Sequence, residues 1–359
     1  MRARTQTRFT SLDKLAVKLG CKWSAISQSI DQTEKELTEL EKLLLPPEGR
    51  PLAENLSLVF FGSRARGEST SRSDVDWTLL VNGEVDGLHL FLAQEIRRKL
   101  LEAKFIEPGT TGTFGGLAFS HELVHFIGGQ EDSNKNLTLR MLLLLESISV
   151  GDDGPRQMVI RAILQRYLGD DPHWTWKPDG KIPRFLLNDV IRFWRTMAVD
   201  FADKFHDQEG EKWALRNAKL RFSRKLLLLK GLLACFSWQM RGMHAASTAG
   251  DDSTARAVTY YEHYFSLPPL EILADEMMRS GAQEGLCRKV FQSYDSFLVI
   301  LSDKHSRSEL DQIPRRDTDK SEVFQRVRTL SHEFRDGLLD WLYAPDSALC
   351  SLMRQYALF

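Results

Sequence analysis

The residues best suited to chemistry lie in one stretch, Leu58-Val-Phe-Phe-Gly-Ser-Arg-Ala-Arg-Gly-Glu-Ser-Thr-Ser-Arg-Ser-Asp-Val-Asp-Trp77. An apolar run ends at Gly62-Ser63, and Asp74 and Asp76 open a second apolar run that reaches Val81. Carboxylates two apart on a strand leave the same face, so both reach one site. Hard oxygen donors with room for water suit magnesium or manganese. Such ions serve an in-line displacement at the α-phosphate of a nucleoside triphosphate. Gly62 has no side chain to hold a phosphate away. Ser63 offers a hydroxyl and an N–H, and is expected with Gly62 to hold the β- and γ-phosphates. Arg64 and Arg66 add charge, with Glu68 a competing partner for one of them. A lone Gly-Ser is usually a turn and a lone Asp-x-Asp a solvated strand start. Their succession between two strand-like runs points to nucleotide chemistry.

The surrounding pattern supplies elements to position them. Residues 11 to 45 have helical periodicity, broken near Gly20-Cys21 and stopped by Pro46-Pro47-Glu48-Gly49-Arg50-Pro51. Leu56–Phe61 and Val75–Val81 read as strands, and His89–Lys104 as a helix. Gly115–Ile127 is expected to hold one or two further strands, and Leu137–Ser149 a buried helix ending before Gly151. Beyond Pro155 nearly every ordered segment reads as helix: 155–168, 184–206, 211–238, 254–265, 267–280, 284–302 and 320–342. Ser302–Lys320 reads as a charged, mobile connector. The expected plan is α+β. It has a helical arm (1–50), a small mixed-sheet core with flanking helices (51–153) and a large all-helical domain (154–359).

Composition narrows the class. The chain has 359 residues, 42% hydrophobic and 27% charged, with a net charge of −1, so no global positive charge marks a nucleic-acid binder. Its four cysteines are far apart, which argues against a zinc ribbon or a disulfide framework. The first residues lack the apolar region of a signal peptide, and no apolar run is long enough to span a bilayer. A cytoplasmic protein without membrane contact is expected.

Gly62-Ser63, Gly67-Glu68 and Ser73-Asp74-Val75-Asp76 together resemble the signature of the DNA polymerase β-like nucleotidyltransferase superfamily. Gly116-Leu117-Ala118-Phe119-Ser120-His121, then Leu142–Ser147 and Gly151-Asp152, are similar to segments of the PII-protein uridylyltransferase and its relatives. The resemblance covers about residues 56–153. It implies a metal-dependent transferase with Asp74 and Asp76 as metal ligands and a third carboxylate on a later strand. The related pattern has an acid a few positions before its Gly-Leu, where this chain has Thr113, Phe114 and Gly115. Glu122 is the nearest substitute, with Glu107 and Asp132 as alternatives. His121 is a second candidate base, and His125 four residues on invites a weaker zinc reading.

The most basic helical stretch is Lys212–Lys225. Lys212, Arg216, Lys219 and Ser223 share one face, and Asn217, Arg221 and Arg224 another. Superfamily members commonly close their cleft with a helical domain, which makes Arg216 and Lys219 candidates to hold the triphosphate. Trp174 and Trp176 are candidates either to stack on a base or to clamp their loop. The expected function is transfer of a nucleoside monophosphate from a nucleoside triphosphate to a protein, RNA or small-molecule acceptor. A degenerate nucleotide-binding scaffold and a synthase of a nucleotide second messenger are the alternatives.

Overall fold

The computed structural model describes residues 9–46, 52–70, 72–108, 113–172, 174, 182–207, 212–243 and 253–357. The chain begins with α1 (Thr10–Leu19) and α2 (Ser24–Leu44), then β1 (Leu56–Phe61), the short α3 (Ser63–Arg66), β2 (Trp77–Val81) and α4 (Gly87–Glu102). Next come β3 (Gly116–Phe119), α5 (Ser120–His125), α6 (Asn134–Leu145), β4 (Ser147–Val150) and α7 (Gly154–Gly169). Helices make up the rest: α8 (Arg184–Asp207), α9 (Trp213–Lys219), a π-helical turn (Leu220–Arg224) and α10 (Lys225–Met240). They continue with α11 (Ser253–Ser266), α12 (Pro269–Arg279), α13 (Glu284–Ser302), α14 (Lys304–Gln312), a 3-10 turn (Arg315–Lys320), α15 (Glu322–Leu342) and α16 (Ala348–Leu352). The architecture is α+β, a small mixed sheet in a mostly helical chain.

The sheet order is β3-β2-β1-β4. β1 runs antiparallel to β2, with Phe60 opposite Trp77, and antiparallel to β4, with Phe61 opposite Ser147; β2 and β3 are parallel. Both central strands are buried on both faces, and the period of two sorts their side chains. Leu58, Phe60, Trp77 and Leu79 pack with Leu40 and Leu44 of α2 and Ile96 and Leu100 of α4. Val59, Phe61 and Leu80 face the opposite way, into the core shared with α6, α7 and the C-terminal helices. Val75 belongs with Trp77 on the first face. Asp74 and Asp76, of the other parity, therefore project toward the helical side.

The N-terminal helices brace that side. Glu271 of α12 accepts from the backbone N–H groups of Ser11 and Leu12 at 2.7 and 2.9 Å, and Trp23 stacks on Phe291 of α13 at 4.8 Å. Buried Lys230 of α10 donates to the carbonyls of Leu145, Phe265 and Leu267, fastening the end of α6 to the helical region. Arg140 is fully buried between Asp132 and Asp189. Asp132 is thus structural rather than part of a metal site.

Four sequence expectations change. Asp74 to Asp76 lie just ahead of β2 rather than within it, because Val75 N–H pairs with the carbonyl of Ile106 outside the sheet. Gly115–Ile127 holds one strand and then a helix, because Leu123 and Val124 are buried side by side and set a helical face. Leu137–Ser149 splits into α6 and β4 at Glu146, where Ser147–Val150 pairs with β1. Ser302–Lys320 contains α14, whose start is fixed by Asp303 accepting from Ser306 N–H at 2.7 Å. The Pro47–Pro51 stop and Trp176 lie outside the described residues.

Candidate active site

The Gly62-Ser63 bend sits where β1 gives way to α3. Gly62 has φ +68 and ψ −139, a conformation open to glycine and strained for other residues. A methyl group there would stand 3.1 Å from Oδ2 of Asp76. The bend and the second aspartate are therefore in direct apposition. Phe61 N–H donates to the Asp76 carbonyl at 2.9 Å, which locks the Asp-x-Asp segment beside the end of β1. Arg64 holds it from the other side. Its guanidinium donates to the Asp74 carbonyl at 2.6 Å and pairs with Glu36 of α2 at 3.0 Å, while only 2% exposed. Arg64 is a positioning residue and not a phosphate ligand.

A cavity of about 70 Å³ opens between this segment and the helical side. Gly62, Ser63, Arg66, Glu68, Asp74 and Asp76 form the core wall; Lys219, Ser223, Arg224, Leu301 and Arg307 form the helical wall. Two larger cavities, about 320 and 590 Å³, lie elsewhere. The first sits behind Val75 and Trp77 on the opposite side of the aspartate segment, and the second between α1 and α2. Neither includes the paired aspartates, so chemistry and not size selects the small one.

Charge is dense in the small cavity. Burial, then the neighbouring Asp74, raises the Asp76 carboxyl to about 7, with Glu146 adding in the same direction. Burial opposes ionisation of Asp74 too, but Lys219, a backbone hydrogen bond, Arg307 and Arg224 hold its pKa below the usual carboxylate value. Burial lowers Lys219, which has Asp74 and Asp76 as its counter-charges. Two crowded carboxylates facing cations is the arrangement expected of a site that takes up a cation and a polyanion together.

Arg66 lines the cavity but is already paired. It donates to Glu68 at 2.8 Å and makes a second, very short contact to Glu146. Glu146 also accepts from Arg224 at 2.8 Å, and these two guanidiniums keep its carboxyl ionised against burial. Glu68 accepts from the Tyr294 hydroxyl at 2.6 Å and from Ser223 at 3.3 Å. The Gly-Glu element of the motif thus joins the core to the helical wall.

Of the eight site residues expected from sequence, the structure brings six together: Gly62, Ser63, Arg66, Asp74, Asp76 and Lys219. Glu122 is not among them. Burial of Leu123 and Val124 turns Glu122, His121 and His125 outward on α5, where all three are exposed. Glu107 is likewise elsewhere, paired with Arg97 at 2.7 Å. Arg216 is absent from the cavity wall. It lies in the α-helical part, one turn before Lys219, and the π-helical turn that follows brings in Arg224 instead. Bonding from i to i+5 widens the turn, so residues five apart come onto one side. Arg224 thereby joins Lys219 and Ser223 at the cavity, while Arg216, a turn earlier, does not. Arg307 was masked in sequence by the polar connector around it. Trp174 is fully buried against Trp238 and Tyr261 and clamps its segment.

Among the described residues no three carboxylate, imidazole or thiol groups converge on one point. Asp74 and Asp76 still fit magnesium or manganese, for which a pair of carboxylates is completed by phosphate oxygens and water. Their mutual repulsion and the close approach at Gly62 both match that use.

Residues 7–105, which include both N-terminal helices and run through β2 and α4, match the family described as "Putative nucleotidyltransferase DUF294", which supports a nucleotidyltransferase-superfamily assignment. No curated protein matches the chain.

Proposed function

We propose that the protein transfers a nucleoside monophosphate from a nucleoside triphosphate to an acceptor at the cavity between Gly62-Ser63 and the helical wall. The observation that carries this is the apposition of Asp76 to Gly62, with Asp74 and four cationic side chains, Arg66, Lys219, Arg224 and Arg307, in the same cavity. In the transfer, an acceptor oxygen bonds to the α-phosphorus as the bond to pyrophosphate breaks. Asp74 and Asp76 would hold divalent magnesium or manganese, which neutralises charge on the phosphates. Gly62 and Ser63 approach the β- and γ-phosphates. Lys219, Arg224 and Arg307 stabilise the charge that accumulates on the leaving pyrophosphate. Arg64 fixes the aspartate segment, and Arg66 and Glu146 fix Arg224. The acceptor is a protein, an RNA or a small molecule, with the likeness to the uridylyltransferase group favouring protein. No helix of the described residues is long and apolar enough to cross a membrane, and all four cysteines are free, which supports a reducing, cytoplasmic setting.

A specific observation favours a second reading, a nucleotide-binding scaffold without turnover. The third carboxylate of the cavity, Glu68, is occupied by Arg66, Tyr294 and Ser223, and Glu122 is elsewhere. Incubation with α-labelled nucleoside triphosphates, magnesium or manganese, and cell extract separates the two. Transfer of label that disappears in Asp74→Ala/Asp76→Ala supports the enzyme. Metal-dependent nucleotide binding with no transfer supports the scaffold.

A further inference from the structure

The helix that carries Lys219 and Arg224 has a second charged side. Arg221 and Lys225 lie on it, facing α15, where Arg328, His332 and Arg335 recur at intervals of four and three residues. Arg221 crosses the seam and donates to Ser331 of α15 at 3.2 Å. The two helices thus bring five basic groups to one place.

These groups disturb one another. Arg221 is lowered by burial first and then by Arg328 and Arg335. Lys225 is lowered to about 8 by burial and then by Arg335 and Arg221, with Asp336, which also faces His332, opposing. His332 is lowered by desolvation and then by Arg335, Arg221 and Arg328. Compensation is thin. Arg335 pairs with its neighbour Asp336, and Arg328 reaches Asp319 at 3.7 Å with both side chains solvated. Lys225 has neither a hydrogen bond nor an ion pair among the described residues. Like charges gathered across a helix seam destabilise the free protein and are relieved by an anion.

We infer that Arg221, Lys225, Arg328, His332 and Arg335 form a docking surface for the phosphodiester backbone of a nucleic-acid strand. Guanidinium forks match phosphate oxygens. The row from Arg328 to Arg335 extends about 10 Å along the helix, enough for more than one phosphate. No large apolar side chain is exposed between those residues, whereas a protein partner would need an apolar centre to its interface. Because Lys219, Ser223 and Arg224 lie on the other side of the same helix, a strand held here runs about one helix diameter from the cavity. Binding stands independently of nucleotidyl transfer; only service as the acceptor rests on the proposed function.

The test is fluorescence anisotropy of a fluorescein-labelled 20-nucleotide single-stranded RNA, and the DNA of the same sequence, with the full chain in 50 to 200 mM potassium chloride. Salt-dependent binding is expected. Arg328→Ala/Arg335→Ala should weaken it at least tenfold at 50 mM salt and reduce the slope of log affinity against log salt by about 1.4, the value for two lost phosphate contacts on a single strand. Arg328→Lys/Arg335→Lys should retain most of the binding, which guards against a folding artefact. Asp74→Ala/Asp76→Ala should bind as wild type, so loss of transfer and loss of docking are read separately. The inference is overturned if neither oligonucleotide binds at 50 mM salt, or if the alanine pair leaves affinity unchanged. Preferential capture of a polyglutamate peptide or of anionic vesicles overturns it as well.

Discussion

Replacing Gly62 by alanine probes the site with the smallest change that the geometry forbids. Two costs follow from the structure. The backbone at φ +68 and ψ −139 is strained for an L-residue, by about 1–3 kcal/mol. The new methyl group would stand 3.1 Å from Asp76 Oδ2, where ordinary contact begins at 3.4 Å. The carboxylate must therefore retreat by about 0.3 Å or rotate. Misplacing a reacting group by about 1 Å costs on the order of a hundredfold in rate. A shift of a third of that should slow transfer by roughly tenfold, and moving the carboxylate off its place beside the bend should weaken metal-dependent nucleotide binding. The assay is calorimetric titration of a non-hydrolysable nucleoside triphosphate with and without magnesium, alongside thermal melting. Gly62→Ala should melt lower and lose most of the magnesium-dependent part of its affinity. A variant that melts lower yet binds nucleotide and magnesium as wild type would refute the apposition of bend and carboxylate as a functional arrangement.

Other perturbations test separate parts of the site. Asp76 is raised to about 7, so the folded state holds its proton more tightly than the unfolded chain; its contribution to stability is present at low pH and is lost as pH rises through that value. Asp76→Asn should therefore melt above wild type at pH 8, with the advantage shrinking toward pH 5, and an equal shift at both values would contradict the assignment. Arg307→Ala should weaken nucleotide binding several-fold with little loss of helix content by circular dichroism, and Asp303→Ala, which removes the cap of the helix that presents Arg307, should cost about 1 kcal/mol in urea unfolding. Glu122→Gln should transfer label within twofold of wild type, because that side chain is exposed away from the cavity; a large loss would restore it to the site.

What the sequence disclosed was local. Leu56–Phe61 shows as a strand because both faces are apolar, and its bounds match the observed ones. The Gly-Ser and Asp-x-Asp pairs are legible because their chemistry is compressed into a few residues whose relative placement one strand pair determines. The rest depends on long-range packing. Ser147–Val150 reads as the tail of an apolar helix until β1 offers it an edge. Glu146, at that break, becomes the buried partner of Arg66 and Arg224 only through contacts 80 and 78 residues apart. A period of 3.6 puts Arg216 and Lys219 on one face but cannot foresee the π-helical turn after Lys219 that brings Arg224 to the cavity, and the cavity wall stops short of Arg216. Arg307 lay in a segment polar enough to pass for a connector, and its helix is organised by the single cap at Asp303.

The size of the cavity bears on how a nucleotide would enter. About 70 Å³ is well below the roughly 300–1,000 Å³ of small-molecule pockets, although the cleft opens to solvent. The two walls are joined by polar contacts: Glu68 to Tyr294 and Ser223, Glu146 to Arg224, and Arg307 to the carbonyl of Arg72 at 3.2 Å. Arg224 and Arg307 donate to groups that compete with a phosphate for the same guanidinium N–H donors. On the proposed reading, a triphosphate entering the cleft would exchange these contacts for its own oxygens. Arg224 and Arg307 would then be the cations that exchange contacts to the core for contacts to the substrate. Nucleotide affinity and separation of the walls become one linked equilibrium, so a nucleotide stabilises the open arrangement only to the extent that it binds that arrangement better.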